Sequence, residues 1–404
     1  MGAPKPYIVV CIEINSAVSA MDGNLPPYTS RIDTKQSLQA TLVWDLPLRL
    51  FHWAMVCVVA VAGVTGFFPP EWWLDLHVFA GYALGTLLTF RFVWGFFGSH
   101  YSKFRTFPLT RDGVHRHLRS ILHRKPQDHT GHNPVGALMI VILLLVLISL
   151  VVTGLVVLGG QENLGPLASV TTFKTGEVAG EIHKIAAWGL VSAIAIHLLG
   201  VFVETRIFRH PVLTAMITGK KVTAELPSDA PGGTHTVRGG VLFLTLGVVL
   251  LGVGMKLADK PPSGWRVAQV PVAYESECGD CHHAYHPSLR TKQAWRVLMN
   301  GLPDHYGEDA SLDAETAKSI NVYLNGNPAE TFDTEAAQWV GRIDTASLRI
   351  TDTPFWKMRH QDIGPSVFRQ KAVGSKVNCN GCHKDAASGR FDDAKIHLPS
   401  GDPK

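Results

Sequence analysis

At 404 residues, 46% hydrophobic and 17% charged, the chain has room for two or three domains and is too apolar for an ordinary soluble protein. A membrane class is the first expectation. The formal charge of +4 gives no reason to expect nucleic acid as a partner, and its meaning depends on which loops hold the Lys and Arg.

Residues 1–40 form an N-terminal extension of no assigned role, because "PYIVVCIEI" is too short to span a bilayer and lacks the shape of a signal peptide. Five stretches then reach spanning length, since a helix rising 1.5 Å per residue needs roughly 17–25 apolar residues to cross a membrane. They run from Leu50 to Phe68, Leu76 to Phe97, Val135 to Leu158, Ile182 to Val203 and Val241 to Leu257. The loop from Gly98 to His132 carries seven Lys or Arg against two Asp, and the segment from Glu204 to Gly240 is also basic (Arg206, Arg209, Lys220, Lys221, Arg238). Basic loops stay in the cytoplasm. "PPEWWLD" and the stretch from Gly159 to Glu181 are acidic and belong on the other side, with Trp72 and Trp73 suited to the interfacial aromatic belt. The N-terminus is then cytoplasmic, and five crossings deliver the C-terminal part to the periplasm of a bacterial inner membrane.

The expected domains are a four-helix unit over 41–219, a cytoplasmic linker over 220–240, a tethering helix over 241–257 and an extracytoplasmic domain over 258–404. The linker expectation rests on the Pro, Gly and polar residues of "AELPSDAPGGTHTVRGG". Six histidines in the basic loop (His100, His115, His117, His123, His129, His132) read as a solvated or headgroup-facing surface.

Four of the six cysteines sit in Cys278-x-x-Cys281-His282 and Cys379-x-x-Cys382-His383. This is the pattern of covalent haem c attachment, in which two thiols add to the porphyrin and the adjacent His supplies an axial nitrogen. Disulfides, a thioredoxin-like motif or a four-thiolate zinc site compete. Zinc ribbons separate their Cys pairs by roughly 15–20 residues, however, and none of the three accounts for a His after both second cysteines. Cys11 and Cys57 read as a free thiol and a small apolar residue. For the second axial position, His305 lies 23 residues after His282 and His360 lies 23 before His383, a mirrored spacing that suggests paired histidines at both irons. His283, His286, Met299, Met358 and His397 compete; His283 and His286 read as bystanders, His283 being too close to its own motif to reach the far face of the haem. "QAWRVLMNGL" and "DAETAKSINVYLNG" show helical spacing.

Ionisable residues inside spans mark function by default. His183 and His197 are 14 residues apart, so they share a helix face about 21 Å apart along the axis. His52 opens an outward helix and matches the depth of His197; His77 opens an inward helix and matches His183. Two haems b stacked across the bilayer, each between two histidines of a four-helix bundle, account for all four. The fold expected is therefore all-α: a membrane four-helix bundle binding two b-haems, plus a fifth transmembrane helix tethering a small, mostly helical dihaem cytochrome c domain.

With "VWDLPLRLFHWAM", His77 and the His183/His197 pair, residues 41–215 resemble the bacterial cytochrome b561 and nickel-hydrogenase b-type cytochrome family. From "CGDCHHAYHPSLRTKQAWRVLMNGLPDHYGEDASL" through "RITDTPFWKMRHQ" to "NCNGCHKDAASGRFDD", residues 270–399 resemble the dihaem cytochrome c family. The second resemblance implies His305 and His360 as distal ligands. The first implies two haems b and electron exchange with a quinone or a partner subunit. Arg49, Arg91 and Lys184 are placed to meet haem propionates or quinone oxygens, or to act as interface anchors. Two functions are expected to compete. One is a quinol:cytochrome c-type oxidoreductase that links the quinone pool to a periplasmic electron-transfer protein through two haems b and two haems c. The other is a membrane anchor and relay subunit of a separate dehydrogenase, hydrogenase or reductase, within a homo-oligomer or larger complex.

Overall fold

The computed structural model describes residues 39–68, 73–124, 129–223, 233–266, 269–342 and 348–399. Residues 1–38, with Cys11, lie outside that description, as does Trp72.

Helix starts are set by local chemistry. Asp45 caps α1 (Leu46–Phe67), its carboxylate accepting from the Leu48 N–H with Pro47 in the first turn. The chain returns through α2 (Leu74–Phe97), and a short α3 (Arg111–Leu122) crosses the basic loop behind an N-capping Thr110. Asn133 caps α4 (Pro134–Gly160) and Thr172 caps α5 (Phe173–Phe202), which continues as a π-helical turn to Ile207. After α6 (Val212–Thr218) comes the last long helix, α7 (Gly233–Ala258). The five long helices are apolar enough to cross a membrane, and little of their surface is buried inside the protein, as lipid-facing helices require. They begin earlier than the apolar windows, and for α1, α4 and α5 the polar caps Asp45, Asn133 and Thr172 lie outside those windows.

The spanning helices pair as hairpins, α1 with α2 and α4 with α5, and α2 also packs on α4. Met55, Leu84, Leu87, Leu88 and Leu147 form the shared core, with Leu190 of α5 against it, midway between His183 and His197. Helix α7 does more than tether, since it lies against α1 and α2 with Phe243 edge-on to Phe90 at 5.8 Å.

The basic end of the bundle is locked by one carboxylate. Asp45 is 2% exposed; its Oδ2 accepts from Trp94 Nε1 at 3.1 Å and from Ser102 Oγ at 2.9 Å, so the start of α1 is tied to the end of α2. Strand β1 (Gln39–Leu42) pairs antiparallel with β2 (Lys220–Thr223), Leu42 opposite Lys220. Gly219 closes the turn at φ +82°, its carbonyl accepting from the N–H groups of Val43 and Trp44, and a Cβ there would meet the Trp44 carbonyl at 2.6 Å. The segment expected as a linker at 220–240 thus contains β2 and the first turns of α7, because its backbone finds partners in β1 and in the bundle; residues 224–232 lie outside the description.

The C-terminal part contains short helices α8 (Val272–Gly279), α9 (Lys292–Asn300), α10 (Ala314–Gly326), α11 (Pro354–Arg359) and α12 (Pro365–Phe368), joined by 3-10 turns. Tyr274, Trp295, Ile320, Tyr323 and Leu324 form its main core. Arg290, 1% exposed, is kept by carbonyls, donating to Leu289, Val340 and Leu348. This part is fixed to the membrane part by hydrogen bonds. Ser263 N donates to the Ala168 carbonyl at 2.9 Å, and Ser263 Oγ to the Thr171 carbonyl at 2.6 Å. Phe173 N, in the first turn of α5, donates to Asp333 Oδ2 at 2.9 Å, and Arg390 Nη2 donates to the Asn163 carbonyl at 3.3 Å.

Replacing Asp45 by Ala removes a helix cap and strands two buried donors, a loss of about 2–4 kcal/mol. The Asp45→Ala protein is expected to unfold at a clearly lower temperature in detergent, and Asp45→Asn, which keeps an acceptor, at an intermediate one; a thermal melt of the purified chain checks this.

Candidate metal centres

The structure brings the expected histidines together in pairs. His77, early in α2, faces His183 of α5 with ring centres 6.2 Å apart. His282 faces His305 at 6.2 Å, and His360 faces His383 at 6.1 Å. His52 of α1 has His197 of α5 as its electrostatic neighbour, and its Nδ1 is buried without a hydrogen-bond partner. A metal bonded to one nitrogen of each ring at about 2 Å, with about 1 Å more to each ring centre, needs a separation of about 6 Å. Three of the four pairs meet that requirement as they stand.

In His77, His183, His282 and His360 a hydrogen bond to the other nitrogen fixes the aim of the ring. His77 Nδ1 lies 3.1 Å from the Ala62 carbonyl and 3.2 Å from Thr65 Oγ1. A carbonyl can only accept, so Nδ1 carries the proton and Nε2 presents a lone pair. His183 repeats this with Thr153 Oγ1 at 3.0 Å, that hydroxyl itself donating to the Ser149 carbonyl. His282 Nδ1 donates to the His283 carbonyl and His360 Nδ1 to the Trp356 carbonyl, both at 2.8 Å. The Trp356 ring stacks on His360 at 4.3 Å and 12°, which restrains its rotation.

Glycines keep room beside the membrane pairs. A Cβ on Gly66 would stand 3.0 Å from Cε1 of His77, and one on Gly154 would stand 3.3 Å from Cε1 of His183. Gly81 and Gly200, one turn from His77 and His197, have nothing within 4 Å of where a Cβ would sit. Val64-Thr65-Gly66 and Val152-Thr153-Gly154 are the same tripeptide, each on the helix before its histidine. That repeat is readable in the sequence and had marked neither histidine's support.

In the C-terminal part, burial with the neighbouring His360 pushes His383 down to about 4, and burial with His282 lowers His305, so both imidazoles are neutral and able to bind metal near neutral pH. The five described cysteines are free thiols. Burial pushes Cys278 and Cys379 up to about 11, which disfavours the thiolates a zinc site needs. Among the described residues no group of three or more His, Cys, Asp or Glu is arranged to hold a metal ion. Paired imidazoles and paired thiols with open glycine faces fit a flat macrocycle whose centre takes two axial ligands.

The competing side chains are engaged elsewhere. His286 pairs with Ser288 Oγ at 2.8 Å and packs edge-on against Phe332; Met299 lies against the Tyr274–Trp295 core; Met358 is exposed; His397 Nδ1 bonds the Lys395 carbonyl. His283 joins the two attachment motifs, its Nδ1 accepting from Asn380 Nδ2 at 2.9 Å. Arg91 is buried, donating to the Ser102 carbonyl at 3.1 Å with its guanidinium 4.4 Å from the Phe104 ring centre. Arg49 donates to the Ile217 carbonyl, and Lys184 pairs with Glu181 at 2.9 Å in an exposed contact. His117, read as solvated, is buried beside Glu204, which also holds His210 Nδ1 at 2.7 Å and Asn133 Nδ2 at 3.0 Å. The π-helical turn brings Glu204 into this cluster, which spacing along an ideal helix does not reveal.

Histidine pairs within apolar spanning helices, continued by two thiol-and-histidine motifs in a small helical part, define a multi-pass membrane cytochrome that transfers electrons and uses both b-type and c-type haem. Residues 43–219 match the family model of the prokaryotic cytochrome b561 and residues 274–391 that of the dihaem cytochrome c. It is 26% identical over 211 residues to a probable Ni/Fe-hydrogenase B-type cytochrome subunit of Azotobacter vinelandii, covering 45% of this chain and 88% of the relative. A protein of the same description from Cupriavidus necator is 25% identical over 214 residues, covering 46% and 88%. Among solved structures, the diheme cytochrome c from Rhodobacter sphaeroides is 35% identical, covering 31% of this chain and 98% of that one with a TM-score of 0.27. The Shewanella baltica diheme cytochrome type c is 30% identical, covering 32% and 96% with a TM-score of 0.26.

A leucine side chain at 154 would press on the His183 ring. The Gly154→Leu protein is expected to lose b-type absorbance relative to c-type absorbance after purification, while Gly252→Leu, at an exposed position of α7, which carries none of the paired histidines, retains it.

Proposed function

We propose that the chain carries electrons across a bacterial inner membrane between the quinone pool and a periplasmic electron-transfer protein. His52 with His197 and His77 with His183 hold two haems b. Cys278, Cys281 and Cys379, Cys382 attach two haems c, held by His282 with His305 and by His360 with His383. The observation that carries this reading is the recurrence of one geometry, two imidazoles with centres about 6 Å apart, in the membrane and beyond it.

Iron between two imidazoles supplies one-electron redox chemistry. The residues of this chain do the rest. The apolar core around Leu87 and Leu147 excludes water between the two membrane pairs, and the backbone carbonyls behind His77, His282 and His360 keep each ring aimed. Haem held by both imidazoles of a pair would carry electrons without binding substrate, so substrate chemistry would belong to a quinone site. The basic loops support a cytoplasmic side for the end that carries Asp45 and so a periplasmic position for the C-terminal part.

A second reading draws support from the hydrogenase subunits that the membrane part is similar to: a relay and anchor that takes electrons from a separate enzyme within a larger complex. Quinol separates the two. Purified chain should yield b-type and c-type haem in a 2:2 ratio by pyridine haemochrome analysis and be reduced by a quinol analogue in an inhibitor-sensitive way. Haem c alone would overturn the membrane relay, and a 2:2 protein that quinol fails to reduce would favour the subunit reading.

A further inference from the structure

The two c-type sites are not equivalent in their relation to the membrane part. Among the described residues, the hydrogen bonds and ring contacts between the two parts run through Ser263, Asp333, Trp339 and Arg390; none involves a residue of 270–286 or 298–312. Those at Trp339 and Arg390 lead to the second motif. Trp339 meets Phe173 of α5 at 6.4 Å and stacks on Phe355 of α11 at 5.8 Å and 8°, one residue before the Trp356 that stacks on His360. Arg390 precedes Phe391, whose ring lies 5.3 Å from His383. The turn Asp393–Lys395 packs on α2, the helix of His77, and Asp393 pairs at 3.5 Å with Arg359, the neighbour of His360. Phe173 is ten residues before His183, about 15 Å along α5.

We infer that the His360/His383 site is the docking-side centre and the His282/His305 site the outermost one, so the order along the relay is the reverse of the order of the two motifs in the sequence. This rests on the proposed transmembrane function. With haem held at each site, an electron moving outward would pass one at a time from the His77/His183 site to the His360/His383 site, then to the His282/His305 site and on to a one-electron protein acceptor, each donor being oxidised as the next site is reduced. No bond forms or breaks and no proton moves along this part. The hydrogen bond from Asn380 to His283 links the two c-type sites directly.

The test uses the oxidised full-length protein and the electron-spin relaxation of the membrane haem signals. Cys379→Ser/Cys382→Ser is expected to abolish the relaxation enhancement that a c-type iron confers on the nearer membrane haem, and Cys278→Ser/Cys281→Ser to leave it. The opposite pattern overturns the order, and it does so whether or not quinol reduces the protein, so failure of the functional reading is seen separately. His360→Met keeps the covalent attachment at the second site. It should alter the signal that couples to the membrane haem; a change confined to the uncoupled signal also overturns the order.

Discussion

Pairs of imidazole rings held with their centres about 6 Å apart, at least one ring of each pair with a nitrogen tied back to the chain, are the arrangement on which the rest of this molecule depends. The spacing suits a metal bonded to both rings, and the tied nitrogen keeps the free one aimed across the gap. Helices α1, α2, α4 and α5 hold this geometry at one depth between His77 and His183, with His52 and His197 at the other. The C-terminal part builds it twice more from turns and short helices, beside its two pairs of thiols. Wherever the ring is tied to a carbonyl, that carbonyl sits close in sequence to the histidine or on the adjacent helix of its hairpin.

The remaining features follow from placing such pairs in lipid. Bare backbone polar groups are costly there, so only helices cross, and each start needs a cap. Asp45 does this and binds α1 to α2 at the basic end. Asn133 and Thr172 do it for α4 and α5. At the opposite end Asp333 accepts from the first turn of α5, so the C-terminal part completes the membrane bundle while it docks. Glycine has a packing role beside the rings, where Gly66 and Gly154 leave just the room that His77 and His183 occupy.

Much of this was legible in the sequence because its signals are periodic. Five apolar stretches, the bias of Lys and Arg to alternate loops, and a 14-residue His spacing each report on a helix without knowledge of its neighbours. The two Cys-x-x-Cys-His motifs are local chemistry. What escaped was long-range: Asp45 binding Trp94 and Ser102, β2 pairing with β1 where a linker was expected, Asp333 reaching Phe173 across 160 residues, and His117 drawn under cover by Glu204. The Val-Thr-Gly repeat is a different case. Its letters were in plain view, but their meaning depends on which helix faces which.

The central claim is a continuous path for electrons through the membrane, and reconstituted vesicles test it most directly. With haem-loaded protein in the bilayer, ferricyanide trapped inside and a membrane-impermeant reductant outside, the trapped acceptor should be reduced at a rate that rises with the amount of protein and vanishes when His183 is replaced by Ala. Trapped ferricyanide that stays oxidised beside fully haem-loaded protein would contradict the account.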